Sequence, residues 1–287
     1  MNYAVNSGKG LENIKAWLFD MDGTLYLGND RLPGALELID YLHKTGRKVF
    51  YITNNSSKIV SEYVKKLASM GISATEDEFF TSAQAIVYML NKEKPGARLF
   101  IMGTPPFERF MESEGFTQVR EYYNDERRPD YCVLSFDQTL TYDKLRIFCD
   151  YITDGVTYVA THPDMVCPAE GNRTIPDIGA FMLAIEGSTG KRPSLVAGKP
   201  NPTMINIVAE RLGLPTSDLV VVGDRLHTDI LSGVNAKAST ICVLSGETTP
   251  EILENSPTKP QYVFDSVKEI WEYLKEKDGK KVSDKPV

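Results

Sequence analysis

The 287-residue sequence contains no apolar run approaching the ~18 residues of a membrane-spanning helix. Its opening segment, MNYAVNSGKGLENIK, has neither an apolar core nor a small-residue cleavage site, so it does not read as a signal peptide. Lysine and arginine form no cluster, which argues against a nucleic-acid footprint, and a net charge of −7 reads as plain solubility. Cys132, Cys149, Cys167 and Cys242 share no C-x-x-C or metal-finger spacing. They are expected as buried, reduced thiols, and a reducing cytoplasm goes with them. Internal repeats and low-complexity tracts are also missing.

What is present is an alternation of short buried strands with amphipathic helices. KAWLFD, residues 15–20, reads as a strand, and PGALELIDYLHKTG as a helix closed by Gly46. KVFYITNN is a second strand, and SKIVSEYVKKLASMG a second helix, capped by Ser56 or Ser57 and ended at Gly71. The rhythm returns late, in PSLVAGKP, DLVVVGD and STICVLSG with helices between them, before a Lys/Asp-rich tail expected to fray. Residues 82–190 between these halves alternate in the same way and are long enough for a core of their own. The chain also exceeds the length at which one core usually divides. The fold class is therefore α/β: a doubly wound, Rossmann-like parallel-sheet core, residues 1–81 and 191–287, interrupted by an inserted α/β domain, residues 82–190.

Open parallel sheets bind ligands beyond the carboxyl ends of their strands. The first strand ends in Asp20 and Asp22, and the second in Thr53, Asn54 and Asn55. The third is expected to end in Gly198 and Lys199, and the fourth in Gly223 and Asp224, with Asp229 one turn later. Carboxylates gathered so closely raise one another's pKa unless a cation neutralises them, and Mg²⁺ suits a few carboxylates plus waters. Mg²⁺ beside one lysine would in turn attract a phosphate. Gly23 lets the chain turn sharply, and the Thr24 hydroxyl is expected to fix that turn. DMDGTLYLGNDR begins like a calcium loop, but its sixth and twelfth positions are Leu25 and Arg31, which excludes an EF-hand.

Four motifs in order, DMDGT at 20–24, ITNNS at 52–56, GKP at 198–200 and GDRLHTD at 223–229, resemble the haloacid dehalogenase superfamily. The large insertion between the second and third motifs is similar to that of its NagD-like sugar phosphatases and 4-nitrophenylphosphatases. The resemblance spans residues 14–275. It implies an HAD core with a substrate-specificity cap, and a Mg²⁺-dependent phosphatase acting on small phosphorylated metabolites. Asp20 would be the nucleophile and Asp22 the general acid and base. Thr53, with Asn54 and Asn55 beside it, would hold the phosphoryl oxygens, and Lys199 would balance charge. The metal would take Asp20, the Asp22 carbonyl and Asp224, with Asp229 orienting Lys199 or a metal-bound water.

Other residues carry weaker signals. ATHPD places His162 where relatives usually carry asparagine, so His162 and Cys167 are candidate substrate contacts, with Arg173 in the same loop region. His227, inside the fourth motif, is expected to face solvent or cap a turn. Alternative readings are a phosphotransferase or mutase on the same core, and a non-catalytic phosphometabolite-binding scaffold. The intact Asp20, Asp22, Thr53, Lys199 and Asp224 weigh against a scaffold. No sequence feature requires a homo-oligomer, although an exposed cap face would allow one.

Overall fold

A computed structural model describes residues 10–56, 60–169 and 173–283. Ser57, the alternative helix cap, lies outside them, as does most of the opening segment. The strands of the two main sheets and one hairpin are β1 (Ala16–Phe19), β2 (Lys48–Thr53), β3 (Phe79–Thr81), β4 (Arg98–Met102), β5 (Thr117–Val119), β6 (Tyr131–Leu134), β7 (Thr157–Ala160), β8 (Val166–Ala169), β9 (Arg173–Pro176), β10 (Leu195–Val196), β11 (Leu219–Gly223), β12 (Ser239–Val243) and β13 (Tyr262–Phe264). The chain divides into two compact units: residues 1–53, 60–80 and 199–287, and residues 54–59 and 81–198.

In the first unit the sheet order is β13-β12-β11-β1-β2-β3, and β1 pairs in parallel with both β2 and β11. All four residues of β1 are buried, as a strand covered on both faces requires. Trp17 and Phe19 point to one face, two residues apart, with ring centroids 6.2 Å apart. Their register partners Val49, Tyr51, Val220 and Val222 extend the same apolar stripe across three strands. Helices Ala35–Lys44 and Val267–Ser283 supply Leu38, Ile39, Leu42, Ile270 and Leu274 to that core. The last helix runs to Ser283, so the Lys/Asp-rich segment expected to fray is helical over much of its length.

The second unit has its own five-stranded sheet in the order β10-β7-β6-β4-β5, with every pairing parallel. Its separate core gathers Phe100, Met102, Leu134, Phe148, Tyr151 and Ile185. This corrects the sequence boundary. Leu195 and Val196 pair with Val159 and Ala160, so the segment PSLV, expected as a strand of the first sheet, completes the inserted one. The insertion consequently extends to Gly198 and includes residues 54–59. The β8–β9 hairpin and the edge strand β3 were not anticipated from the sequence.

Candidate active site

The first sheet reverses its strand order at β1, with β2 on one side and β11 on the other, which opens a crevice at the carboxyl ends. Asp20 stands there, its backbone N–H still donating to Val222 O at 2.8 Å. The chain then turns at Gly23, whose φ of +84° favours glycine. Main-chain bonds fix this turn: Gly23 N–H donates to the Tyr26 carbonyl and Leu25 N–H to the Met21 carbonyl, both at 2.8 Å. The Thr24 hydroxyl is buried and makes no hydrogen bond among the described residues, so it fills the turn and does not fix it as expected.

Lys199 is buried with its ammonium 2.5 Å from Asp20 Oδ1 and 2.6 Å from Asp229 Oδ1. One wide helical turn, Leu226–Ile230, carries Asp229 back beneath β11, and Asp229 Oδ2 accepts the Arg225 N–H at 3.1 Å. Carboxylate oxygens of Asp20, Asp224 and Asp229 lie within 4.8 Å of one another. Asp224 Oδ2 accepts the Glu247 N–H at 2.8 Å, but Asp224 Oδ1 is buried with no hydrogen-bond partner among the described residues. A buried carboxylate oxygen left unpaired beside two more carboxylates fits a hard divalent cation. The packing leaves no slack: a Cβ on Gly23 or Gly246 would collide with the Asp224 carboxylate, and one on Gly223 with the Asp229 side chain.

The electrostatics follow from this crowding. Burial pushes Asp20 up to about 7, with Asp229 and Asp224 adding to the shift and Lys199 opposing it. Burial likewise raises Asp224 to about 6, with Asp229 contributing. Burial alone would lower Lys199, yet Asp20 and Asp229 more than offset that and hold it charged. Without a cation, the site is therefore one ammonium against an excess of carboxylate.

The remaining predicted residues fall into two groups. Asp22 extends its side chain into solvent, while Thr53 is buried at the end of β2. Asn54, Asn55, His162 and Cys167 belong to the inserted unit. There Asn54 and His162 are buried, and Cys167 is half-buried against the apolar cluster of that unit. Arg173 is exposed. His227 is exposed as expected, with Nδ1 3.7 Å from Glu247.

One contributor was missed. The segment after β12 binds the site through Ser245, whose hydroxyl donates to Gly23 O at 2.8 Å, and through the Glu247 and Thr248 N–H groups on Asp224. Its signal was available: STICVLSGETT is another buried strand running into Ser, Gly and Thr at the same carboxyl edge. A surface groove of about 740 Å³, lined in part by Lys15, Arg47 and Lys48, lies instead at the amino ends of β1 and β2. Arg47 there is engaged by Asp278, 2.8 Å away, and among the described residues no carboxylate cluster like that of Asp20 faces the groove.

Comparisons with known proteins agree with the geometry. Residues 17–117 match the family model for haloacid dehalogenase-like hydrolases, and residues 196–270 match a second, HAD-hydrolase-like model. The chain is 36% identical over 260 residues to an acid sugar phosphatase of Staphylococcus saprophyticus, covering 91% of this chain and 98% of that protein. The solved structure of a 4-nitrophenylphosphatase from Thermotoga maritima superposes with a TM-score of 0.84 at 41% identity, covering 92% of this chain and 98% of the other. A glycerol phosphate phosphatase from Mycobacterium tuberculosis, solved in complex with calcium, gives a TM-score of 0.78 at 29% identity, over 89% of this chain and 74% of the other. The chain belongs to the haloacid dehalogenase-like hydrolase family, as one of its NagD- and 4-nitrophenylphosphatase-like phosphatases.

Proposed function

We propose that the protein hydrolyses small-molecule phosphomonoesters, sugar phosphates or similar, in a Mg²⁺-dependent reaction through an aspartyl-phosphate on Asp20. The observation that carries this reading is the buried Lys199 ammonium held between Asp20 and Asp229 beside the unpaired oxygen of Asp224. Asp20, the Asp22 main-chain carbonyl, Asp224 and Asp229 are the groups that would hold Mg²⁺ or its waters. Bound Mg²⁺ supplies positive charge that draws the phosphate in and offsets the excess carboxylate.

A carboxylate oxygen of Asp20 attacks phosphorus, and the bond to the leaving oxygen breaks. The exposed Asp22 side chain gives its proton to the departing alkoxide. It then takes a proton from the water that attacks phosphorus, which restores the Asp20 carboxylate and releases inorganic phosphate. Lys199 neutralises charge on nucleophile and phosphoryl group, and Thr53, with Asn54 and Asn55 following it, holds the phosphoryl oxygens. Cys167 takes a packing role. Cys132 and Cys242 are buried, and burial pushes the Cys242 thiol up to about 12, which suits inert thiols in a reducing cytoplasm.

The test is a panel of phosphate esters, including 4-nitrophenyl phosphate, sugar phosphates and glycerol phosphate, assayed with Mg²⁺ and with EDTA. The reading expects phosphate release that EDTA abolishes. No release from any ester would overturn it.

A further inference from the structure

Two of the places where the chain passes between the units lie between Thr53 and Asn54 and between Gly198 and Lys199. Each of these two crossings sits at Thr53 or Lys199, residues of the proposed reaction. Inside the inserted unit, the two crossing residues rest on one partly buried polar cluster. Asn54 Nδ2 donates to both carboxylate oxygens of Asp164, at 3.1 and 3.2 Å, and the Asn54 carbonyl accepts the Ser82 hydroxyl at 2.6 Å. Gly198 N–H donates to Thr161 O at 2.7 Å. A Cβ on Gly198 would stand 2.6 Å from Asn54 Oδ1 and 2.7 Å from His162 Cβ, so only glycine fits this approach.

His162 is the floor of the cluster, with 3% of its surface exposed. Its Nδ1 accepts the Asp164 backbone N–H at 3.4 Å, which leaves the ring proton on Nε2, facing Asp177 Oδ1 at 3.9 Å. Asp177 is in turn fixed by the Ile178 N–H at 2.7 Å, at the start of helix Ile178–Thr189. The loop from Thr161 to Asp164 thus holds Gly198 at its first residue and Asn54 at its last, and is tied to that helix through His162 and Asp164.

We infer that Asp164 and His162 are positioning residues: they clamp Asn54 and Gly198 together and thereby set where Thr53 and Lys199 stand. The inference rests on the proposed phosphatase reading for its activity assay. It gives the histidine of ATHPD a task other than touching substrate, since both ring nitrogens are turned towards residues of its own unit. A misplacement of about 1 Å in groups that bind the transition state costs about a hundredfold, and loss of one clamp contact is expected to cost about tenfold.

The experiment is a double-mutant cycle on the full chain with Mg²⁺ and 4-nitrophenyl phosphate. Asp164→Ala and Asn54→Ala should each lower kcat about tenfold, with KM changed less than about threefold, because the lost positioning acts mainly in the transition state. The double variant should be no slower than the slower single one. Asp164 is partly exposed, with 30% of its side chain accessible, and both variants are expected to melt within a few degrees of the wild type. Effects that multiply, or a wild-type kcat in Asp164→Ala, would overturn the inference. Hydrogen exchange gives a reading that needs no activity: Asp164→Ala should quicken exchange at the Asn54 and Gly198 amides, and unchanged exchange there would overturn the clamp. A wild type inactive on every ester would remove the proposed function and leave the exchange test standing.

Discussion

Lys199 Nζ stands 2.6 Å from Asp229 Oδ1 in a buried ion pair, and the same ammonium reaches Asp20. Asp229 therefore fixes Lys199 from behind while Lys199 balances Asp20, the proposed nucleophile, in front. Replacing Lys199 by methionine removes the only cation in contact with these carboxylates among the described residues. The expected loss in kcat/KM is about 10² to 10³-fold, the scale of removing one preorganised transition-state partner. Steady-state assays with 4-nitrophenyl phosphate check it.

Asp20 at about 7 and Asp224 at about 6 lie above the ordinary value of 3.8. Both hold protons in the metal-free native state that the unfolded chain has already lost, so they reduce stability as pH rises from about 4 to 7. A metal-free Asp224→Asn variant lacks one of these groups. Its melting temperature should rise relative to wild type between pH 5 and pH 7, and Mg²⁺ should stabilise the wild type more at pH 7 than at pH 5. Scanning calorimetry at the two pH values, with and without Mg²⁺, reads both effects.

Gly246→Ala places a methyl group against the Asp224 carboxylate. The variant should need about tenfold more Mg²⁺ for half-maximal activity, since displacing a group that orients a metal ligand typically costs about 10- to 100-fold. Calorimetric titration of Mg²⁺ into both proteins decides it, and equal affinities would remove the β12 loop from the site.

The inserted unit carries an ion cluster of its own. Lys144 Nζ bonds Asp137 Oδ2 and Glu108 Oε1, each at 2.9 Å, and the Gly103 carbonyl at 2.7 Å. Asp137 has no exposed side-chain surface, so Lys144→Met leaves a buried carboxylate without its counter-ion. Urea unfolding should show a loss of about 3 kcal/mol.

The candidate site in the first unit was legible because its signals are local. A buried strand ending in charge says where the site lies, and Asp20, Asp224 and Lys199 meet as that rule implies. The β12 loop was equally legible and was missed because its contribution runs through backbone N–H groups, which no side-chain pattern advertises. The boundary at Gly198 was not legible. PSLV is a buried-looking strand in either sheet, and only its pairing with Val159 and Ala160 decides which. The role of His162 was hidden for the same reason: its neighbours Asp177 and Gly198 are brought to it by the fold.

The most direct test of the account is phosphate release from 4-nitrophenyl phosphate by Asp20→Asn beside the wild type, both with Mg²⁺. The amide keeps the shape of the side chain but is a far weaker nucleophile, so activity should fall by at least about 10³-fold while the protein stays folded. An Asp20→Asn protein that releases phosphate at the wild-type rate would contradict the assignment of Asp20 as the group that attacks phosphorus.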